Sequence, residues 1–491
     1  MGSFFGFFKA KRGIRQGDPL SPLLFTICME YLSRVLLVIQ EREGFKFHPL
    51  CKPLKLSHLC FVDDLLMLCK REKRVVIMML RAFETLSKAS GLCMNKSKSC
   101  IYSNGVLRDI ISKILHISGM GEGKLPFRYL GVPIDAKILS SLDCSILVDR
   151  VCERIRAIGT RKLSYAGRLV LTKSVLSTLH CYWARIFILP VSILDKVEAI
   201  CRSFLWQGKE YVNSPPLIAW NICCKSKKNG GLGVIDLRRW NKAALGKYIW
   251  WISHKKDHLL VKWVHAIYIK NSDWMNYQPK ADSSWSWRKI CSVKDHLKAG
   301  YQGIWWLQAG NNYTIKQGYQ WLGTSDCSQD WAKFVWNNLS VPKHYFIKCL
   351  VAHRRLLTMD RLHNMHLCSD KMCVLCGVAD EDHSHLFFQC DFSRRCLQLV
   401  IQNLGIQIPV SDFVQWWLRA KVKSLLRKKI LAAMIQGLVY KIWEMKNRCR
   451  IDHVIGRSEF IVRQLREEIS SRVLRNCNAM NRDMVRQWLN M

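Results

Sequence analysis

At 491 residues the chain has room for roughly three domains of about 150 residues each, and 49% hydrophobic content excludes a disordered protein. With 76 Lys+Arg against 37 Asp+Glu the formal charge is +39, a self-repulsion that points to a polyanionic partner, nucleic acid first. The excess is spread along the chain, so a disordered basic arm is not expected. The 22 cysteines follow no secretory leader. No run of about 18 uncharged apolar residues is present, and the best candidate, Leu179 to Leu194, contains Arg185. The expectation is a reducing compartment, nucleus or cytoplasm, with thiols mostly free and buried and no membrane partner.

The first ordered signal is RGIRQGDPLSPLLF, Arg12 to Phe25. Residues 14–39 read as a loop and then a helix. Asp18-Pro19 and Ser21-Pro22 supply the start signal, and Leu24, Ile27, Cys28 and Tyr31 recur at helical spacing. Residues 54–69 read as two strands around Asp63 and Asp64 in CFVDDLLML. Adjacent carboxylates at a tight strand turn can bind divalent metal for phosphoryl chemistry, although an Asp pair in a turn is by itself a weak signal. Residues 74–90 read as a basic amphipathic helix capped by Gly91, and 125–134 as a short strand and turn.

Further on, Leu147, Val151, Ile155 and Ile158 mark one helix face, and Lys162 to Leu176 another helix. KKNGGLGV, Lys227 to Val234, has no phosphate-loop spacing and reads as a turn. Residues 270–330 are rich in Trp, Asn, Ser and Gly with weak periodicity, and read as a poorly packed connector. Residues 413–449 and 458–488 read as long amphipathic helices, the first with Ile430, Met434, Leu438 and Ile442 on one stripe. No internal repeat is found.

Cys373-x2-Cys376-x8-His385-x4-Cys390 offers four soft or borderline ligands at knuckle-like spacing, a zinc candidate. Cys368, His383 and Cys396 lie close enough in sequence to substitute. The basic run His353-Arg354-Arg355 suits phosphate contact or, equally, a solvated helix face.

Taken together, RQGDPLSP, the Asp63/Asp64 hairpin, GLCMNKSKS (Gly91 to Ser99) and YLGVPI (Tyr129 to Ile134) resemble, in order and spacing, the palm motifs of reverse transcriptases of LINE-type, non-LTR retrotransposons. LSYAGR, FLWQG, NKAALGKYIWW and WNNLSVPKHYF, with the Cys–His cluster, resemble the plant members' downstream regions as far as His453. The resemblance implies an α+β fold: a partial right-hand polymerase palm over 1–110, a mainly helical thumb and connection over 111–250, a connector over 251–325, a zinc-binding module over 326–400 and basic C-terminal helices over 401–491.

It also implies RNA-directed DNA polymerisation with Mg²⁺ on Asp63 and Asp64, an RNA template, a DNA primer and a deoxynucleoside triphosphate. Lys98 would meet the triphosphate. Arg12, Gly13, Gln16 and Gly17 would line the nucleotide and template, and Tyr129 and Gly131 would form the primer-gripping turn. Zn²⁺ would sit on Cys373, Cys376, His385 and Cys390. One departure is visible: residues 1–17 contain no Asp or Glu, where the resemblance calls for a further metal-binding Asp on an upstream strand. The expectation is therefore a truncated palm with an exposed sheet edge and impaired catalysis. A non-catalytic zinc-dependent nucleic-acid binder and a decayed element without activity remain the alternatives.

Overall fold

The computed structural model describes residues 17–476, apart from 104, 106–107, 136, 159–162, 212–214, 300–311, 324–327 and 406–423, together with Arg482, Val485 and Arg486. Helices dominate, and the strands among the described residues form three two-stranded sheets, giving a mixed α and β chain with little sheet. Packing divides it into two compact units, Met1–Asp143 with Leu245–Ile315, and Cys144–Ala244 with Lys316–Met491.

In the first unit Gly17 takes a φ of +89°, and Asp18 turns the chain into a helix by accepting from the Leu20 N–H at 2.9 Å. Pro22 then fits the first turn of the Ser21–Gln40 helix. Leu32, Leu36 and Ile39 pack on Met79, Ala82 and Leu86 of the Lys73–Ser90 helix, which ends, as expected, in left-handed Gly91. The anticipated stripe is different: Leu24, Ile27 and Tyr31 are exposed, because the partner helix meets only the second half of Ser21–Gln40. This helix is long and apolar enough to cross a membrane by length and composition, with 17% of the relevant window buried. Its Glu30–Arg34 pair, 3.1 Å apart, is why no uncharged run was visible in the sequence.

The connector expected over 270–330 is packed where it is described. Trp274 and Trp287 are buried and stack at 5.4 Å, and Tyr268 stacks on Trp287 at 4.9 Å. Lys294, fully buried, donates to the Tyr277 carbonyl at 2.6 Å and pairs with Asp295 at 3.1 Å. Aromatic rings thus supply the core that aliphatic periodicity did not reveal.

In the second unit the Ser145–Ile158 helix buries Leu147, Val151 and Ile155 as expected. Ser164 caps Tyr165–Ser174 by accepting from the Gly167 N–H at 3.3 Å. The centre is the Leu425–Asp452 helix, against which Pro342–Ala352, Asp391–Leu404 and Ser458–Asn476 pack. Ile430, Met434, Leu438 and Ile442 are buried, but so is every residue from Ile430 to Val439. A helix buried all round is a core helix rather than an amphipathic one. Its polar Gln436 donates to the Phe334 carbonyl at 2.5 Å, while its own side-chain oxygen is buried without a partner among the described residues. The expected helical residues 413–423 and 477–481 lie outside the described residues.

Candidate metal centres

The Asp pair sits on an antiparallel hairpin, His58–Phe61 against Asp64–Met67, with Phe61 opposite Asp64. A two-residue loop, Val62-Asp63, closes it. Such loops require positive φ, and here the residue that adopts it is Val62, at +51°. A β-branched side chain in the left-handed region is strained, and strain of this kind collects where geometry serves function. Its effect is local: both carboxylates are solvent-exposed at the tip.

The hairpin base is tied to the Ser21–Gln40 helix by a chain that periodicity could not show. Gln40 donates to Ser57 Oγ (2.5 Å) and Ser57 Oγ lies 3.0 Å from His58 Nδ1. His58 Nε2 lies 3.0 Å from Ser33 Oγ, which donates to the Met29 carbonyl (3.1 Å). A neutral imidazole, with Nδ1 accepting and Nε2–H donating, gives each hydroxyl along the chain one donor and one acceptor. Burial agrees, lowering the His58 pKa below its ordinary 6.5. Because the folded pKa is the lower one, the stabilisation is complete above 6.5 and is lost as pH falls below that value. The His58 ring resonances should therefore titrate below 6.5, and hairpin amide protection, corrected for intrinsic exchange, should drop between pH 7 and 5; unchanged protection would count against the chain as an anchor.

Lys98 is exposed on a single turn, Lys96–Lys98, where Asn95 Oδ1 accepts its backbone N–H at 3.2 Å. Tyr129 and Gly131 belong to a second hairpin, Phe127–Tyr129 against Val132–Ile134, whose loop residues Leu130 and Gly131 both have positive φ. Gly17 is part of the turn before the long helix, and among the described residues no neighbour crowds it. Arg12, Gly13 and Gln16 lie outside the described residues.

The second centre is fully assembled. Cys373 and Cys376 flank a knuckle in which the Gly377 N–H donates to the Cys373 carbonyl (2.8 Å) and the Cys373 N–H to the Ala379 carbonyl (2.9 Å). Gly377, at a φ of +66°, makes that reversal possible. Asp382 positions the other half by accepting the His385 N–H at 2.6 Å, and Cys390 stands at the N-cap position of the Asp391–Leu404 helix. The four ligand atoms lie within 4.8 Å of one another, the one such group of three or more among the described residues. Cys373 Sγ is 4.0 Å from Cys390 Sγ, and Cys376 Sγ is 3.2 Å from His385 Nε2. Zinc–ligand bonds of about 2.0–2.3 Å place tetrahedral ligand atoms roughly 3.3–3.8 Å apart, so the cage fits that metal with small adjustments.

The hydrogen bond from Cys373, aided by the Ser393 and Phe392 N–H groups at the helix start, lowers the Cys390 thiol below its ordinary value, which favours the thiolate a metal needs. Cys368 and Cys396 do not converge on the cage; burial pushes the Cys396 thiol up to about 12. Sequence reasoning missed the support behind the knuckle. Glu381 and Lys446 are both fully buried and pair at 3.4 Å. Glu381 also accepts the Met359 N–H (3.0 Å), and Lys446 donates to the Leu357 carbonyl (2.8 Å).

Comparisons with known proteins bear on both centres. Residues 2–134 match the family of reverse transcriptases, RNA-dependent DNA polymerases, and residues 313–396 match the zinc-binding region in reverse transcriptases. A candidate ribonuclease H protein of Arabidopsis thaliana is 32% identical over 181 residues, 36% of this chain and 28% of that protein. An uncharacterised mitochondrial protein of the same plant is 30% identical over 123 residues, 25% of this chain and 80% of its own length. The retrovirus-related Pol polyprotein of a type-2 retrotransposable element from Drosophila melanogaster is 23% identical over 242 residues, 47% of this chain and 21% of the polyprotein.

Proposed function

Because the chain belongs to the reverse transcriptases of non-LTR retrotransposons, we propose that it handles the template and primer of RNA-directed DNA synthesis and holds part of the metal cage for that reaction. The observation that carries this reading is the family match over a hairpin whose strained tip presents Asp63 and Asp64 side by side. The donor set suits Mg²⁺, which when bound activates a primer hydroxyl and offsets charge on the leaving pyrophosphate. Asp63 and Asp64 hold the ions, Lys98 meets the triphosphate, and Arg12, Gly13, Gln16 and Gly17 line the template and nucleotide. Tyr129 and Gly131 grip the primer. Residues 1–110 act as the palm, 111–250 as thumb and connection and 251–325 as the connector. Residues 326–400 are the module that binds Zn²⁺ through Cys373, Cys376, His385 and Cys390, and 401–491 supply the basic C-terminal helices.

One observation favours binding over catalysis for the 491-residue chain itself. No third ligand gathers with the Asp pair among the described residues, and residues 1–16 hold no carboxylate. Two-metal chemistry draws carboxylates from two strands. Primer extension by this chain with Mg²⁺ or Mn²⁺ should therefore stay at background. Grafting a carboxylate-bearing strand from a related element ahead of Arg12 should restore it, and Asp63→Asn should then abolish the restored activity. Template-dependent extension by the unmodified chain, lost in Asp63→Asn, would show that another carboxylate reaches the pair. A graft that restores nothing would sink the polymerase assignment of the hairpin.

A further inference from the structure

Two motifs far apart in sequence meet in the second unit, and neither of the metal centres uses them. The Gly-rich turn after Trp220–Cys224 opens with Lys227–Asn229, capped by Ser226, and continues through Gly230 and Gly233 at φ of +80° and +68°. Its Gly230 carbonyl accepts from His353 Nε2 at 2.7 Å, which brings the exposed Arg354 and Arg355 to the same loop.

On this loop the cations are held without being neutralised. Lys227 Nζ lies over the Trp336 ring at 4.5 Å and faces Tyr345 at 5.7 Å. Lys173 Nζ donates to the Leu232 carbonyl at 3.1 Å. A carboxylate partner would fix these ammonium groups and cancel their charge; an aromatic face or a carbonyl fixes them and leaves the full charge to an incoming anion. Among the described residues no carboxylate acts on either. Burial lowers both lysine pKa values, and for Lys173 the neighbouring Lys227 lowers it further, so the two charges lie within reach of each other. The glycines keep the approach narrow. A Cβ on Gly233 would sit 3.2 Å from Lys173 Nζ and 3.7 Å from Lys227 Cγ, and one on Gly231 would strike the Lys225 carbonyl at 2.1 Å.

We propose that Lys173 and Lys227, set around the Gly230–Gly233 turn and continued by Arg354 and Arg355, form a binding surface for the phosphate backbone of single-stranded RNA, separate from the Asp63/Asp64 hairpin and the Cys–His cage. Phosphate oxygens supply the missing negative charge between the two ammonium groups, and the exposed guanidiniums extend the contact along the strand. Contacts from these cations go to phosphate, which carries no sequence information, so binding is insensitive to sequence.

The inference rests on the nucleic-acid reading above, and the experiment separates the two. Binding of a short fluorescein-labelled single-stranded RNA to the zinc-loaded full chain is followed by anisotropy across roughly 50 to 200 mM salt. The Lys173→Gln/Lys227→Gln variant, checked for an unchanged thermal melt, should bind about tenfold more weakly, with a log–log salt slope shallower by about 1.4 for two lost phosphate contacts. Lys173→Arg/Lys227→Arg should retain wild-type binding and slope. Gly233→Ala, which crowds Lys173 without removing charge, should also weaken binding. Wild-type binding with unchanged affinity and slope in the glutamine variant would overturn this surface while leaving the nucleic-acid reading intact. No binding by the wild-type chain, or binding to phosphatidylserine vesicles in place of RNA, would overturn both.

Discussion

The purified full chain should carry one Zn²⁺, and stripping it should lower the melting temperature of the second unit by about 10 °C or more. The estimate follows from several kcal/mol of metal-coupled folding at roughly 2–4 °C per kcal/mol for a unit of this size. Cys373 and Cys390 are fully buried and His385 nearly so, so without metal the cage leaves soft ligand atoms crowded together in a mostly buried site with no ion to bind. Cys373→Ser/Cys376→Ser should lose the metal, whereas Cys368→Ser and His383→Asn should keep it, because neither residue belongs to the converging group. Zinc content unchanged in the double variant would mean that the ion sits elsewhere.

A comparable loss is expected behind the cage. Lys446→Ala should destabilise the second unit by about 3–5 kcal/mol, because it strands Glu381 as an unpaired buried carboxylate. Burial already raises the Glu381 pKa and lowers that of Lys446, the direction expected when two charges leave water together. Removing both, as Glu381→Gln/Lys446→Met, should recover most of the loss, and denaturant midpoints of the double variant and of its components Glu381→Gln and Lys446→Met give the coupling directly. Equal costs for the single and the double change would show that packing around the Lys446 stem, rather than the charge pair, holds the helix to the knuckle.

What was legible in the sequence was local. The four cage ligands lie within Cys373–Cys390, where spacing alone constrains a metal turn, and the structure gathers those four and leaves Cys368 and Cys396 aside. The Asp hairpin was legible because two apolar runs flank a polar pair at strand length. The rest depends on partners that periodicity does not encode. Ser33 meets His58, and Glu381 meets Lys446, across separations that no motif spans. Which half of Ser21–Gln40 is covered depends on where Lys73–Ser90 crosses it. The long helix read as amphipathic because one good stripe was found, and nothing in its own sequence says that other helices surround it.

The Glu381–Lys446 pair also sets an order of events at the ribosome. All four metal ligands lie within Cys373–Cys390 and so leave the ribosome ahead of Lys446, which lets the cage close early around its ion through short loops. Lys446 is on the helix that comes later, and at about 5–20 residues per second the interval from Glu381 to Lys446 lasts several seconds. During that interval the carboxylate must stay in water or carry a proton, and the knuckle cannot settle against its final neighbours. Nascent chains halted before Lys446 should accordingly hold metal yet remain open to proteases, whereas released full-length chains, with Lys446 free to reach Glu381, should lock.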